Sequence, residues 1–184
     1  MNVHEETYRG HRIEVYTDDF PIDPREWDHN TTMFCWHKEY ELGDVTDADI
    51  DHVKDLIDRG VLVSLPLYLY DHSGISMSTN NSYPFNCPWD AGQVGWITMP
   101  KDYVEDIGEE QAMKIMRKEV AEYDAYLAGE VYCWEAIEIA TEETADGDGS
   151  YYGDSLEDIL ENARKTIDTI VNNRTNVLLT KQPA

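Results

Sequence analysis

Residues 71–93 hold the side-chain types of a nucleophilic site. Asp71, His72, Cys87 and Asp90 lie within twenty positions of one another. A cysteine nucleophile needs a neighbouring base, and the base needs an acidic group that orients it. Spacing does not establish such a site, because its members are recognised by their geometry, and a cysteine is often only a small buried apolar residue. A small enzyme is therefore one hypothesis for the function, and a protein without catalytic residues is the preferred one.

The same stretch is almost uncharged and is rich in serine, asparagine, proline and aromatic residues. Long loops in compact domains usually serve a function or are disordered, and the aromatic residues favour order here. Its aromatic and amide side chains, Trp89 and Gln93 among them, are suited to contacts with a protein or a small ligand. We therefore expect residues 71–93 to form a recognition surface.

Residues 146–157 follow part of the pattern of a calcium-binding loop. Oxygen-bearing side chains stand at matching positions in Asp146, Asp148, Ser150 and Glu157. The position that needs a glycine is Tyr151, and the preceding segment has the pattern of a strand, not of a helix. A turn followed by a capped helix explains the same residues, and the histidines of the chain lack zinc spacing. We expect no metal and no other cofactor.

The net charge of −24 limits the possible partners. The chain has 38 acidic residues and 14 basic ones, and the excess is uneven. Residues 131–161 have ten acidic residues and no basic one, whereas residues 61–100 have two acidic residues and no basic one. A charge of this size repels nucleic acid and anionic membrane surfaces, so we expect neither as a direct partner.

Four aspartates are spaced along one face of a predicted helix. They are Asp47, Asp51, Asp55 and Asp58, at intervals of four, four and three residues. Four residues of helix rise about 6 Å, which is comparable with the separation of successive phosphates. A protein that binds phosphates through lysine and arginine would meet a similar electrostatic target here. Further acidic residues of this predicted DNA-mimic surface are Glu135, Glu138, Glu142 and Glu143.

The pattern of apolar residues predicts a mixture of helices and strands. Apolar residues repeat with helical spacing in residues 47–59, 109–128 and 155–172. Strand patterns occur in residues 12–16, 32–37, 61–70, 94–99 and 131–140. No βαβ fingerprint accompanies them, so we expect an α+β fold with a mainly antiparallel sheet flanked by about three helices. The prediction is a single domain over residues 1–174 and a polar tail over residues 175–184.

The sequence favours a cytoplasmic protein. Its first ten residues include two glutamates and no apolar run, so no signal peptide is expected. No stretch approaches the roughly 18 consecutive apolar residues of a membrane span. The three cysteines, Cys35, Cys87 and Cys133, are odd in number and widely spaced, which favours reduced thiols.

Several segments resemble a family of uncharacterised proteins from phages, proviruses and plasmids. The resemblance covers residues 23–44, 67–79, 85–97, 119–132 and 150–153, and its most specific parts are the sequences YDHSG and CPWD-x-GQ-x-G. It implies an accessory protein of a mobile element and supplies no reaction. The resemblance implies that the uncharged stretch is the shared feature of the family and that the high acidity is particular to this chain.

The preferred hypothesis combines the negative charge of the chain with its resemblance to proteins of mobile elements. The chain is expected to be a cytoplasmic accessory protein that binds and inhibits a host DNA- or RNA-binding defence protein through its acidic surface. Two alternatives stay open. One is a small enzyme or ligand-binding protein that uses residues 71–93, and the other is a salt-adapted acidic protein without a charge-dependent partner.

Overall fold

The structure is a computed structural model that describes residues 1–71, 74–80 and 91–180 of the 184-residue chain. In these residues it has eight strands and four α-helices, and the strand pairs of its two sheets are antiparallel. The predicted α+β fold with mainly antiparallel pairing is confirmed. The chain groups into two compact units, of which the first is Met1–Pro21 with Gly129–Ala184 and the second is Ile22–Ala128.

Among the described residues, the longest segments between strands and α-helices are residues 18–31 and 36–49. In chain order they are β1 (Asn2–Tyr8), β2 (His11–Thr17), β3 (Thr32–Cys35), α1 (Ile50–Asp58), β4 (Leu62–Asp71), β5 (Ile75–Ser78), β6 (Ala91–Pro100), α2 (Lys101–Ile107), α3 (Glu109–Ala128), β7 (Val131–Glu138), β8 (Glu143–Tyr152) and α4 (Leu156–Thr180). A short 3-10 helix, Pro24–Glu26, lies between β2 and β3. None of the helices in the described residues is long and apolar enough to cross a membrane.

The first unit is a four-stranded sheet with one helix packed on it. Its strands lie in the order β1-β2-β7-β8. Buried and partly exposed residues alternate along β2 and, in β7, from Trp134 to Ile137. One face of the sheet is therefore apolar, and that face packs on α4. The buried core consists of Ile13, Val15, Trp134, Ala136, Ile159, Leu160, Ala163 and Ile167.

Helix α4 begins at Leu156, one residue later than predicted, and Ser155 caps it. The Ser155 hydroxyl accepts a hydrogen bond from the backbone N–H of Asp158 (3.2 Å) and donates one to its carboxylate (2.5 Å). This is a reciprocal cap of the first helical turn. The helix continues to Thr180, so residues 175–180 of the predicted polar tail are helical.

The prediction of a turn at residues 145–150 was wrong, because these residues belong to β8. Glycine and aspartate are uncommon in strands, which is why the sequence pattern misleads here. Irregularities in the β7–β8 pairing accommodate the segment. A Cβ at Gly147 would come within 2.9 Å of the carbonyl oxygen of Trp134, so this glycine permits a close approach of two strands. The connection between β7 and β8 lies at residues 139–142 instead.

The second unit is a sheet in the order β3-β6-β4-β5, with α3 packed against one face. The buried core of sheet and helix includes Met33, Cys35, Leu67, Leu69, Met77, Ile97, Met99, Ala112, Met116, Val120 and Tyr123. The apolar stripe predicted for α3 is thus confirmed. The sequence did not predict α2, whose seven residues follow directly on Pro100.

Helix α1 is shorter than predicted and starts at Ile50 rather than at Asp47. The Asp49 carboxylate accepts hydrogen bonds from the backbone N–H groups of Asp51 (2.9 Å) and His52 (3.4 Å). Aspartate is a good N-cap because it satisfies N–H groups that have no partner inside the helix. Asp47 therefore precedes the helix.

Three carboxylates of the first unit have a lowered pKa and accept hydrogen bonds from arginines at 2.6–2.8 Å. The pairs are Glu6 with Arg164, Asp168 with Arg9, and Glu138 with Arg174. The hydrogen bond from arginine is the main cause that holds the pKa of each carboxyl below its ordinary value. A carboxyl with a lowered pKa stabilises the fold above the pKa of the unfolded chain, and this contribution is lost as the pH falls through the folded pKa.

We therefore expect Glu6→Gln to lower the melting temperature at pH 7, and the difference from the wild type to shrink below about pH 4.5. Thermal unfolding followed by circular dichroism between pH 7 and pH 3 measures this. Glu143→Gln is the matched control, because Glu143 is exposed and forms no ion pair with the described residues. A Glu6→Gln difference that stays constant down to pH 3 contradicts the prediction.

Candidate functional site

Most of the predicted nucleophilic site cannot be placed. His72, Cys87, Trp89 and Asp90 lie outside the residues that the structure describes. Asp71 is the last residue of β4, and its hydrogen bond to Tyr40 raises the pKa of that hydroxyl. The catalytic hypothesis therefore stays a prediction.

Neither of the two described cysteines is suited to nucleophilic chemistry. Cys35 lies in the core of the second unit, and burial raises the pKa of its thiol to about 12. Burial also raises the pKa of Cys133. A nucleophilic cysteine needs a low pKa, and the pKa of both thiols is raised instead.

The carboxylates of the predicted calcium loop do not converge. Asp146 and Asp148 lie on β8, where each accepts a hydrogen bond from the following backbone N–H at 2.9 Å. Glu157 accepts a hydrogen bond from Arg164 at 2.8 Å. Ser150 is also part of β8 and has a positive φ of 66°. The described residues contain no group of three or more His, Cys, Asp or Glu side chains that could hold a metal ion.

The aspartate face of α1 has three members, not four. Asp51, Asp55 and Asp58 lie on the helix and are exposed, whereas Asp47 precedes it. The Asp55 carboxylate accepts a hydrogen bond from Arg59 at 2.9 Å. Asp51 and Asp58 form no ion pair with any residue that the structure describes. Among the described residues, the helix therefore presents two carboxylates without an ion pair and one that is paired with a guanidinium group.

The four glutamates predicted on residues 135–143 do not form one surface. Glu138 is paired with Arg174, and Glu142 accepts a hydrogen bond from Arg12 at 3.3 Å. Glu138 and Glu135 lie on opposite faces of β7, since their positions differ by an odd number. Glu143 is exposed at the start of β8. Two of the four negative charges are thus offset by arginines.

Glu135 belongs instead to a row of three glutamates across the sheet of the first unit. Glu5 on β1 is in register with Glu14 on β2, and Glu14 is in register with Glu135 on β7. Glu14 alternates with the buried Ile13 and Val15, so the row lies on the face opposite α4. We call these three residues the glutamate row.

The glutamate row is only partly neutralised. Like charges opposite one another destabilise a sheet. Arg12 donates a hydrogen bond to Glu14 at 2.7 Å, and Tyr16 is hydrogen-bonded to Glu135. Glu5 is exposed and has no cationic partner in the described part of the chain. The row can therefore accept positive groups from another molecule.

The second unit holds a buried ion cluster around Arg25. Its side chain is 4% exposed and donates two hydrogen bonds to Asp44 (2.9 and 2.6 Å) and one to Glu119 (2.7 Å). Burial alone would lower the pKa of Arg25, but the hydrogen bonds to both carboxylates raise it above its ordinary value. The cluster connects the 3-10 helix, the segment after β3 and helix α3.

His29 completes this cluster. Its Nδ1 lies 3.2 Å from the Glu119 carboxylate, and its Nε2 lies 2.6 Å from the carbonyl oxygen of Pro24. The Pro24 carbonyl oxygen is an acceptor, so Nε2 donates this hydrogen bond. Thr31 also donates a hydrogen bond to Glu119. Arg25 is paired with both carboxylates, and the cluster fits a structural clamp rather than a site with a free acid or base.

A cavity of about 430 Å³ lies beside the clamp. His29, Asn30, Asp102 and Tyr103 are among its lining residues, and Asn30 donates a hydrogen bond to the Tyr103 hydroxyl at 3.0 Å. The lining contains no buried polar side chain without a partner in the described residues. The cavity therefore has no positioned group that points to a particular ligand.

Aromatic side chains gather on the face of the second sheet opposite α3. Phe34 on β3 is in register with Trp96 on β6, and Trp36 follows β3. The Trp36 ring stacks on Phe34 at 6.2 Å between centroids and meets Trp96 edge-on at 5.7 Å. The Lys54 ammonium of α1 lies 5.9 Å from the Trp96 centroid. We call Phe34, Trp36 and Trp96, which are all partly exposed, the aromatic patch.

Comparisons with known proteins add no assignment. No family model, no curated protein and no solved structure matches the chain. The resemblance to proteins of phages and plasmids therefore stays a prediction, and the functional proposal depends on the residues of this chain.

The glutamate row, the clamp and the aromatic patch were not predicted. The alternation of Glu14 with apolar neighbours indicates a polar face of β2, but the register that aligns Glu14 with Glu5 and Glu135 is not visible in the sequence. Gln93 is exposed on β6, and its amide donates a hydrogen bond to the Gly95 carbonyl at 3.2 Å.

Proposed function

We propose that this chain is a mobile-element accessory protein that binds and inhibits a host nucleic-acid-binding defence protein. Its carboxylates would occupy the sites of the partner that otherwise bind the phosphates of nucleic acid. The observation that carries the proposal is the glutamate row formed by Glu5, Glu14 and Glu135. Neighbouring strands lie about 4.8 Å apart, so the row presents closely spaced negative charges, as a nucleic-acid strand does.

The charge of the whole chain supports the same function. A protein that binds phosphates through lysine and arginine gains affinity by releasing counterions, and an acidic protein surface offers a similar gain. The net charge of −24 also accelerates association with a positively charged partner. Both effects weaken as the salt concentration rises.

The cost of the glutamate row is a further argument for a function. Three carboxylates in register repel one another, and a sequence selected for stability alone would place opposite charges there. Local arrangements that reduce stability are expected at functional sites. A cationic partner would remove the repulsion on binding.

Capture from a host lysate tests the proposal. The immobilised protein should retain nucleic-acid-binding proteins at about 50 mM salt and release them to duplex DNA or to about 500 mM salt. The triple variant Glu5→Gln, Glu14→Gln, Glu135→Gln should bind the captured protein about tenfold more weakly, because three charge contacts are lost. Binding is measured by calorimetry with the purified partner.

A variant with the same net charge provides the control. Glu41→Gln, Glu109→Gln and Glu110→Gln remove three exposed carboxylates of the second unit and should leave the affinity nearly unchanged. Equal losses in both triple variants would show that total charge acts and the glutamate row does not. Capture of no nucleic-acid-binding protein at low salt would refute the proposed function.

A further inference from the structure

The aromatic patch already holds a positive charge. Lys54 lies on α1 and is exposed, with Asp51 three residues before it and Asp58 four residues after it. It forms no ion pair within the part of the chain that the structure describes, and its ammonium group lies over Trp96 instead. The face of an indole ring attracts cations through its electron distribution. Trp96 is therefore placed and oriented as a cation acceptor.

Carboxylates lie on the same helix as this lysine. Asp51, Asp55 and Asp58 are exposed on α1, which packs against β4 within the second unit. The Asp55 carboxylate already forms an ion pair with the guanidinium group of Arg59 at 2.9 Å, which is an example of a carboxylate on this helix binding a guanidinium group. An extended basic segment that reaches the aromatic patch would meet these carboxylates as well.

Arginine fits this combination better than lysine. Its planar guanidinium group stacks on an aromatic face and at the same time donates paired hydrogen bonds to a carboxylate. A lysine ammonium is a compact, strongly hydrated charge that does one or the other. Aromatic residues together with arginine are also typical of the residues that contribute most to protein interfaces.

We infer that the aromatic patch and α1 bind an arginine-rich segment of the partner protein, with a guanidinium group stacked on Trp96 in place of Lys54. The inference rests on the proposed function for the nature of the partner, since proteins that bind nucleic acid present such segments. It adds a second surface, in the second unit, to the glutamate row of the first. Single-stranded nucleic acid could also stack on the patch, but the charge of −24 opposes it.

Fluorescence anisotropy with three labelled probes tests the inference. The probes are nona-arginine, nona-lysine and a nine-residue oligothymidine. We expect nona-arginine to bind about tenfold more tightly than nona-lysine, and oligothymidine to bind more weakly than both. Trp96→Leu should abolish the preference for arginine, whereas Phe20→Leu, at a residue of the first unit that is 91% exposed, should keep it.

A second variant keeps the test valid if Trp96→Leu does not fold. Lys54→Ala removes an exposed side chain and frees the Trp96 ring. Loss of the lysine charge should strengthen the binding of nona-arginine and of nona-lysine by a similar factor. The freed Trp96 ring should in addition raise the affinity for nona-arginine relative to nona-lysine by about threefold. An unchanged ratio in Lys54→Ala, an unchanged preference in a folded Trp96→Leu, or tighter binding of oligothymidine would overturn the inference.

The outcome is separable from that of the lysate experiment. If the glutamate-row variant loses the host partner but the peptide preference does not depend on Trp96, the proposed function stands and this inference fails. If nona-arginine binds through Trp96 but no nucleic-acid-binding protein is captured, the patch is a site for arginine-rich peptides and the proposed function fails.

Discussion

Replacing Gly95 with alanine is expected to lower the free energy of unfolding by about 3 kcal/mol, because the new methyl group has no space. A Cβ at Gly95 would overlap the carbonyl oxygen of Phe34 on the neighbouring strand β3. That oxygen belongs to the backbone, so only a shift of the strand can relieve the overlap. Urea unfolding followed by tryptophan fluorescence measures the effect.

Gly92, three positions earlier on the same strand, is the matched control. A Cβ at Gly92 would have no heavy atom within 4 Å, so Gly92→Ala should change the free energy of unfolding by less than about 0.5 kcal/mol. Similar losses in both variants would show that strand propensity, and not the close approach of β3, determines the result. The two variants also test the physical reason for a glycine at position 95, the second glycine of the sequence GQVG.

Replacing Arg25 with methionine is the second large expected effect, a loss of about 3 kcal/mol or more in the free energy of unfolding. The substitution leaves the partly exposed carboxylate of Asp44 and the more buried carboxylate of Glu119 without their main positive partner. Their side chains are 22% and 11% exposed, so solvent screens Glu119 least. Removing one member of a buried ion pair is strongly destabilising for this reason.

An exposed ion pair provides the comparison for Arg25→Met. Arg59→Ala breaks the pair with Asp55, whose side chains are 64% and 53% exposed, and should cost less than about 0.5 kcal/mol. Adding Glu119→Gln to Arg25→Met should recover part of the loss, since it removes one of the unpaired charges. If Arg25→Met is no more harmful than Arg59→Ala, the cluster is not a clamp.

The sequence predicts those elements whose apolar residues repeat regularly. Helix α3 and strands β2 and β4 follow from such repeats. Strand β1 was missed because it is polar and alternates weakly, and β8 because its glycines and aspartates are typical of turns. In both strands the pairing with a neighbour, which is a long-range interaction, outweighs the local preference.

The same limit applies to the functional residues. The predicted aspartate face of α1 depends on helical spacing alone, and three of its four members lie on the helix. The glutamate row depends on strand register, and the clamp joins Arg25 to Glu119, 94 positions away. Contacts between distant segments are fixed by packing, so no local pattern reveals them.

The pairing of β2 with β7 has a consequence for the order in which the chain folds during translation. Thr17 pairs with Tyr132, so the hairpin of β1 and β2 can pair with β7 only after more than a hundred further residues have left the ribosome. A two-stranded hairpin alone is only marginally stable. The inserted segment, Ile22–Ala128, has its own core and is complete before β7 emerges. If this segment folds early, a compact domain and not an unfolded chain separates β2 from β7, and the first unit folds last.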